Sequence, residues 1–231
     1  MSLKRSVLLL SVIFSIVGIG VSVIIIAIGG GFSGTGSSFL DPPDQSDLWT
    51  VGKTPVNSFS LQYMTTSHAP HEPPYTATVW LNFTRLEKTD WNVSLSIYNG
   101  SHNDEFSVLL SQNQLSRIGP VDKENVDSVN FLDKSIFGIR ELARGPKYLI
   151  TGAVWDMLLL DSREVPVKIV DHNTLHTRAG VFDTFLLSYD VGPQESKIWI
   201  NRDMPLPVRA QAYDSSGNLQ YSYELIYKNQ I

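Results

Sequence analysis

Two short runs of the sequence contain side chains that can bind a metal or move a proton. The first run, HAPHE, carries His68 and His71, and the second, DHNTLH, carries His172 and His176. Imidazole nitrogens and carboxylate oxygens are the usual donors of a four-coordinate zinc site. Neither run has the helical HExxH spacing, however, and the first lies in a proline-rich segment. Exposed loop histidines are the commoner outcome. We therefore predict no metal and keep these four residues as ligands of the least favoured function, a metal-dependent hydrolase.

Other catalytic arrangements are missing from the sequence. The chain has no cysteine, which excludes a thiol nucleophile, and no serine stands in a Gly-x-Ser-x-Gly turn. No Gly-x-Gly-x-x-Gly motif follows a strand pattern, so a dinucleotide is not indicated either. We predict a protein that is not an enzyme and carries no cofactor.

Three tryptophans are candidates to line a ligand cavity: Trp80, Trp155 and Trp199. Trp80 and Trp199 alternate with aliphatic neighbours, so each lies on the opposite face of its strand from them. Core packing is the ordinary role of such side chains. A sheet that is aliphatic on one face and aromatic on the other nevertheless needs cover on both faces, from a helix or from a ligand.

Three Asn-x-Ser/Thr sequons lie close together, at Asn82, Asn92 and Asn99. The alternation in ATVWLNFTR and WNVSLSIY predicts a hairpin with Asn82 and Asn92 on its polar face and Asn99 in the turn that follows. A glycan acceptor must be accessible on the surface. We therefore predict these three asparagines as glycosylation candidates.

The chain begins with an uncharged apolar run of 22 residues, Val7–Ile28. At about 1.5 Å per helical residue it spans roughly 33 Å, enough for a bilayer core of about 30 Å. Lys4 and Arg5 precede the run, and no basic residue follows until Lys53. The positive-inside rule thus predicts residues 1–6 in the cytoplasm, a single-pass signal anchor, and the rest outside. A cleaved signal peptide is the alternative, since small residues follow the run.

Residues 29–47 are rich in Gly, Ser, Pro and Asp and predict a flexible linker, so the outer domain is expected at 48–231. The outer part of the chain, taken with the linker as residues 29–231, keeps 16 basic and all 23 acidic residues, a net charge of −7, which argues against a nucleic-acid partner. Strand patterns dominate it, with turn-length links that predict an antiparallel meander. One helix is predicted at Lys123–Gly145, where apolar residues recur every three or four positions, and a helix-loop-helix is the alternative. The predicted class is α+β, mainly β.

The segment Arg178–Ile226 resembles lipoprotein-carrier-like (LolA/LolB-type) envelope domains. The residues that carry this resemblance are Gly180, Phe182, Asp183 and Thr184, then Trp199, then Pro205, Leu206, Pro207 and Val208, and finally Gly217. The whole chain also looks like membrane-anchored archaeal surface proteins, with LWTVGK at its domain start. The resemblance implies a curved antiparallel half-barrel whose concave face is covered by a helix and, in the carriers, holds acyl chains.

These patterns favour a non-enzymatic, membrane-anchored envelope protein. Its expected partner is a lipid or another envelope protein, bound in the concave face of the sheet. The alternative is a glycosylated surface module for structure or adhesion that holds no small ligand.

Overall fold

A computed structural model of the chain describes residues 48–68, 73–86, 90–158 and 164–230. The predicted membrane segment Val7–Ile28 and the linker at 29–47 lie outside the described residues, and both stay predictions. None of the helices in the described ranges is long and apolar enough to cross a bilayer. All described residues lie within the segment 48–231 that was predicted as the outer domain.

Thirteen strands make up most of the described chain. Eleven form one curved, open sheet in the order β6-β5-β4-β3-β2-β13-β12-β11-β10-β9-β8, and β1 pairs separately with β7. Their bounds are β1 Leu48–Trp49, β2 Ser58–Ser67, β3 Tyr75–Arg85, β4 Asp90–Tyr98, β5 Asn103–Ser111, β6 Arg117–Ile118, β7 Lys147–Tyr148, β8 Val154–Leu158, β9 Glu164–Thr177, β10 Gly180–Asp190, β11 Glu195–Ile200, β12 Arg209–Tyr213 and β13 Leu219–Gln230.

Every neighbouring pair in the large sheet is antiparallel, which confirms the predicted meander. The sheet consists of two meanders that meet where β2 pairs with β13. One runs outward from β2 to β6, and the other runs inward from β8 to β13. Because β6 and β8 form opposite edges, the segment between them has to pass across one face of the sheet.

That segment contains the helices, and it covers the face that we call the core face. α1 spans Val126–Lys134 and α2 spans Ile139–Leu142, with single 3₁₀ turns at Lys123–Asn125 and Ile136–Gly138. The buried side chains that it adds to the sheet core are Leu132, Ile136, Phe137, Ile139 and Leu142.

The segment Lys123–Gly145 takes the alternative form, two short helices in place of one, because it breaks at Ser135. This residue has φ −113° and ψ −99°, and its hydroxyl donates to the carbonyl oxygen of Phe131 at 2.7 Å. Serine can satisfy backbone groups in this way and so competes with the helical ladder. The break lets two short helices follow the curved face. α2 ends at Leu142, three residues before the left-handed Gly145 at φ +69°.

The alternating side chains of the central strands fill the core face, as the sequence pattern predicts. Phe59, Phe83 and Trp91, from three adjacent strands, form one cluster: the phenyl rings stack at 4.3 Å, and the indole meets them edge-on at 5.3 and 5.9 Å. Such aromatic pairs add about 0.5–1.5 kcal/mol each beyond the area they bury. The indole N–H of Trp91 donates to the Gly52 carbonyl at 3.2 Å, so its polar atom is also satisfied.

The β11–β12 connection folds back over the same face and is more than a turn. Its residues Met204, Leu206 and Val208 are buried. The carbonyl oxygens of this loop accept hydrogen bonds from buried aromatic side chains: Pro207 from the Tyr63 hydroxyl at 3.0 Å, and Met204 from the Trp49 indole at 2.9 Å. Buried side chains and these hydrogen bonds thus hold a loop that closes the core.

Candidate functional site

The opposite face of the sheet, which we call the outer face, carries the exposed chemistry. Trp80 and Trp199 are half-buried there, and the aliphatic residues beside them in sequence are buried on the core face, as predicted. Trp155 differs: it is 8% exposed and belongs to the core. The three predicted cavity tryptophans therefore do not share one cavity.

Cross-strand register aligns six outer-face residues from successive strands into what we call the outer-face row. In order across the sheet these residues are Thr78, Met64, Glu224, Arg209, Trp199 and Leu186. Directly paired residues on one face have Cβ atoms about 4.5–5.5 Å apart, so their side chains interact. The row thus joins residues that are far apart in sequence.

Arg209 is the fixed charge of this row. Its guanidinium donates to a Glu224 carboxylate oxygen, and its Cζ lies 5.7 Å from the centre of the Trp199 ring. A third contact reaches the His176 carbonyl oxygen at 3.4 Å. The side chains of the ion pair are only 28% and 30% exposed. A guanidinium held by a carboxylate, a ring and a carbonyl presents its remaining donors in a defined direction.

The tip of the β9–β10 hairpin borders the row from one side. Besides the His176 contact, Lys228 of β13 lies over the Phe182 ring at 4.8 Å. The tip also carries Arg178, which is exposed and forms no hydrogen bond or ion pair with any described residue. Its positive charge is therefore available to a partner.

These elements enclose an open groove of about 250 Å³, which we call the Arg209 groove. Its lining includes Met64, Thr66, Arg178, Arg209, Gln211 and Glu224. The two arginines exceed the one carboxylate by one positive charge. The volume is below the roughly 300–1,000 Å³ typical of small-molecule sites, so the groove suits a few side chains of a partner better than an enclosed ligand.

A second groove of about 460 Å³ lies where β6 meets the helices, and each of its three arginines contacts a carboxylate. Arg140 and Arg117 contact Asp133 at 2.6 and 4.0 Å, and Arg144 pairs with Glu141. The amide of Gln114 ties the segments together, donating to the Ala143 carbonyl at 2.7 Å and accepting from the Gly145 N–H at 2.7 Å. This groove is a structural junction.

The described histidines do not converge. The Nε2 of His172 lies 2.8 Å from an Asp183 oxygen, and its ring stacks on Phe185 at 4.1 Å. His176 is exposed, His68 directly follows β2, and His71 lies outside the described residues. Within the described ranges, no three His, Cys, Asp or Glu side chains are grouped so that they could hold a metal ion. The four histidines stay sequence predictions.

The sequons lie where the sequence predicts: Asn82 and Asn92 on the outer face of β3 and β4, and Asn99 in the next turn. Asn82 is directly opposite Ser94, and Asn92 is directly opposite Thr84. The exposed Tyr227 lies beside this area, its ring 5.8 Å from that of Trp80.

Sequence reasoning did not find Arg178, Arg209 and Glu224. Alternation within β12 and β13 is enough to place Arg209 and Glu224 on a face opposite the buried residues. Their pairing depends on the register of two strands joined by a turn, and the approach of Arg178 depends on the curvature of the β9–β10 hairpin. Neither feature can be taken from a local pattern.

No protein-family model matches the chain, and no curated protein matches it. Among solved structures it is similar to MucB, with 12% identity over 75% of this chain and 53% of MucB and a TM-score of 0.39. It is also similar to a putative lipoprotein from Parabacteroides distasonis (10% identity, 78% and 99% of the two chains, TM-score 0.38). A third similar structure is a putative exported protein with YmcC-like fold from Bacteroides fragilis (9% identity, 79% and 99%, TM-score 0.32).

The chain spans about half the length of MucB. At these identities and TM-scores, the similarities carry no argument about function. The structure confirms the curved antiparallel sheet that the carrier resemblance implied. Membership of the carrier family, and an archaeal or membrane-anchored origin, stay predictions.

Proposed function

We propose that the chain is a non-enzymatic binding module of the cell envelope that holds an acidic segment of a surface partner in the Arg209 groove. The observation that carries this proposal is the unpaired Arg178 beside the fixed Arg209–Glu224 pair. The location outside the membrane rests on the predicted apolar segment Val7–Ile28 and the charges that flank it.

The choice of an outer-face partner over an apolar ligand follows from the packing of the core face. The helices and the β11–β12 loop cover that face, and buried side chains from most of the strands fill it. An acyl chain would have to displace close-packed side chains, and overpacking of a core costs about 1–3 kcal/mol even for a few methylene groups. The outer face, by contrast, offers exposed charge without rearrangement.

The groove chemistry specifies the partner's features. An exposed carboxylate can approach Arg178, while apolar atoms of the partner contact Met64 and backbone or amide groups meet Gln211. Charge-assisted hydrogen bonds to a guanidinium are favoured by its planar fork of donors. The net charge of −7 on the predicted outer part opposes acidic partners at long range, so the interaction depends on the local geometry of the groove.

The direct test compares two labelled peptides that differ only by Glu or Gln at one central position, added to the full-length chain in detergent. We expect saturable binding of the Glu peptide, measured by fluorescence anisotropy. Loss of one exposed ion pair, worth up to about 1 kcal/mol, predicts that Arg178→Ala weakens this binding up to roughly fivefold.

The matched control is Arg144→Ala, which removes an exposed arginine from the other groove. Equal loss in both variants, or equal binding of the Glu and Gln peptides, would contradict the proposal. A fluorescent fatty acid tests the alternative, binding of an apolar ligand. Saturable binding that is weakened by Trp199→Ala would favour this alternative over the acidic partner.

A second function, a glycosylated surface module for structure or adhesion, is favoured by a separate observation. Two of the three sequons lie on the same solvent-facing surface of β3 and β4. Glycopeptide analysis of the exported protein tests it, and bare asparagines at all three positions would contradict it.

A further inference from the structure

The three sequons differ in how free their acceptor amides are. Asn82 is exposed, and its side chain makes no hydrogen bond with any described residue. Asn99 is half-buried and engaged: its Oδ1 accepts from the N–H groups of Ser101 and His102 at 3.2 and 2.9 Å, and its Nδ2 donates to the Tyr75 hydroxyl at 3.4 Å. A transfer enzyme would have to break these contacts at Asn99. The amide of Asn82 needs no such change.

A pair of aromatic rings on the outer face lies next to Asn82. Trp80 precedes it by two residues on the same face of β3, about 6.8 Å along the strand. The Tyr227 ring extends this surface at 5.8 Å from the Trp80 ring. The residue two positions before Asn92 is Asp90, and the one before Asn99 is Ile97, which is buried on the core face.

Strand register also makes Asn82 and Asn92 close neighbours. Asn82 pairs with Ser94 and Thr84 pairs with Asn92, so the two asparagines are diagonal neighbours across the strand pair. Diagonal neighbours are about 7–8 Å apart. A glycan is bulky, so a glycan on one of them covers the approach to the other.

We propose that Asn82 is the glycan acceptor of this face, that its first sugar packs on the Trp80–Tyr227 pair, and that its occupancy excludes that of Asn92. This inference rests on the proposed location outside the membrane. The negative faces of the two rings attract the weakly positive C–H groups of a pyranose. The hydroxyl of Thr84, exposed on the same face, completes the sequon.

The transfer itself uses an oligosaccharide carried on a lipid phosphate as the co-reactant. The amide nitrogen of Asn82 attacks C1 of the first sugar. A C1–N bond forms while the bond from C1 to the phosphate oxygen breaks. The lipid phosphate leaves with the electron pair, and the amide gives up one proton to a base of the transfer enzyme.

The test expresses the full-length chain in cells that carry out N-linked transfer, with protease accessibility in intact cells as the measure of export. Glycopeptide mass spectrometry should find the glycan at Asn82, with Asn92 and Asn99 bare. In an Asn82→Gln variant, we expect Asn92 to become occupied. Wild-type protein that carries its glycan at Asn92 or Asn99 in place of Asn82, or glycans at Asn82 and Asn92 of the same molecule, would overturn the proposal.

Thermal stability is the second readout. It is measured in an Asn92→Gln background, so that the proteins compared differ only at position 82. The glycosylated protein should melt higher than its Asn82→Gln counterpart by about 2–4 °C, the shift produced by a contact of ordinary strength in a domain of this size. The difference should disappear with Trp80→Ala and persist with Trp199→Ala, a matched tryptophan on the same face. An equal difference in both tryptophan variants would overturn the packing on Trp80.

The outcomes separate this inference from the proposed function. Exported protein without any glycan overturns the Asn82 assignment, while peptide binding at the Arg209 groove is measured independently. A chain that stays inside the cell contradicts the envelope location and the Asn82 assignment together.

Discussion

Both faces of the eleven-stranded sheet are built from the same alternation of side chains, but one face is packed into the core and the other faces solvent. The core face is closed by the helical segment and by the β11–β12 loop, and its central residues are almost completely buried. The outer face keeps hydroxyl and amide side chains, two tryptophans and a charged row open to solvent. The comparison teaches that binding in this fold need not use the covered face, because that face is already filled by the chain itself.

Two tryptophans on adjacent strands lie on opposite faces of the sheet, and their substitution tests the difference between the faces most directly. Trp91 is fully buried on the core face, and Trp80 is half-buried on the outer face. We expect Trp91→Ala to lower the free energy of unfolding by about 3–5 kcal/mol, as for large-to-small changes in a core. Trp80→Ala, made in the unglycosylated protein, should cost less than about 1 kcal/mol. Urea unfolding measures both, and similar losses would contradict the division into two faces.

Alkaline pH is expected to destabilise the fold through buried tyrosines of the core face. Burial raises the pKa of Tyr63, Tyr189 and Tyr223 above their ordinary value of 10.0. Above pH 10 these tyrosine hydroxyls lose their protons in the unfolded chain and keep them in the folded chain. The stability that they contribute is therefore complete below pH 10 and decreases as the pH rises above 10. Three such groups lower the free energy of unfolding by up to about 4 kcal/mol per pH unit.

Denaturant unfolding as a function of pH checks this expectation, with tyrosinate absorbance as a second probe. Tyr63→Phe should reduce the slope of stability against pH by up to about 1.4 kcal/mol per pH unit, the contribution of one such group. Tyr98→Phe, at an exposed tyrosine of the outer face, is the matched control. A slope that does not change with Tyr63→Phe would show that this hydroxyl is not buried in solution.

Substitution in the outer-face row is expected to have a smaller effect on stability. Glu224→Gln leaves the Arg209 guanidinium without its carboxylate at a site that is about 30% exposed. Removing one partner of an exposed ion pair costs up to about 1 kcal/mol, and removing one partner of a fully buried pair costs about 3–5 kcal/mol. For this partly exposed pair we therefore expect the free energy of unfolding to fall by about 1–2 kcal/mol. Glu141→Gln, whose pair with Arg144 is mostly exposed, should change stability by less than about 0.5 kcal/mol. Thermal unfolding distinguishes the two, and equal losses would show that the row is not specially ordered.

Local pattern was sufficient for most of the fold and for part of the site. Alternation in ATVWLNFTR and WNVSLSIY correctly assigns the inward residues of β3 and β4 and the outward positions of Asn82, Asn92 and Trp80. The period of three and four in the 123–145 segment correctly predicts helical structure there. It fails at Ser135, because a periodic pattern does not show where a helix must bend to follow a curved sheet.

Trp155 illustrates what local alternation leaves open. It lies in a short edge strand, where alternation does not indicate which face is covered, and it is buried beside Lys147, whose Nζ is 5.7 Å from its ring centre. Its assignment to the core depends on the helical segment that crosses from one sheet edge to the other, a contact between residues distant in sequence.

The antiparallel meander, the inward and outward residues of the central strands, and the position of the sequons can be predicted from the sequence, because each depends on side-chain alternation over a few neighbouring residues. Packing of distant segments decided that the core face is filled and that Met64, Glu224, Arg209 and Trp199 form one row. It also decided that Asn82 lies diagonally across from Asn92. These features depend on register and curvature, which are set by contacts over the whole sheet, and a one-residue shift in any strand would exchange its two faces.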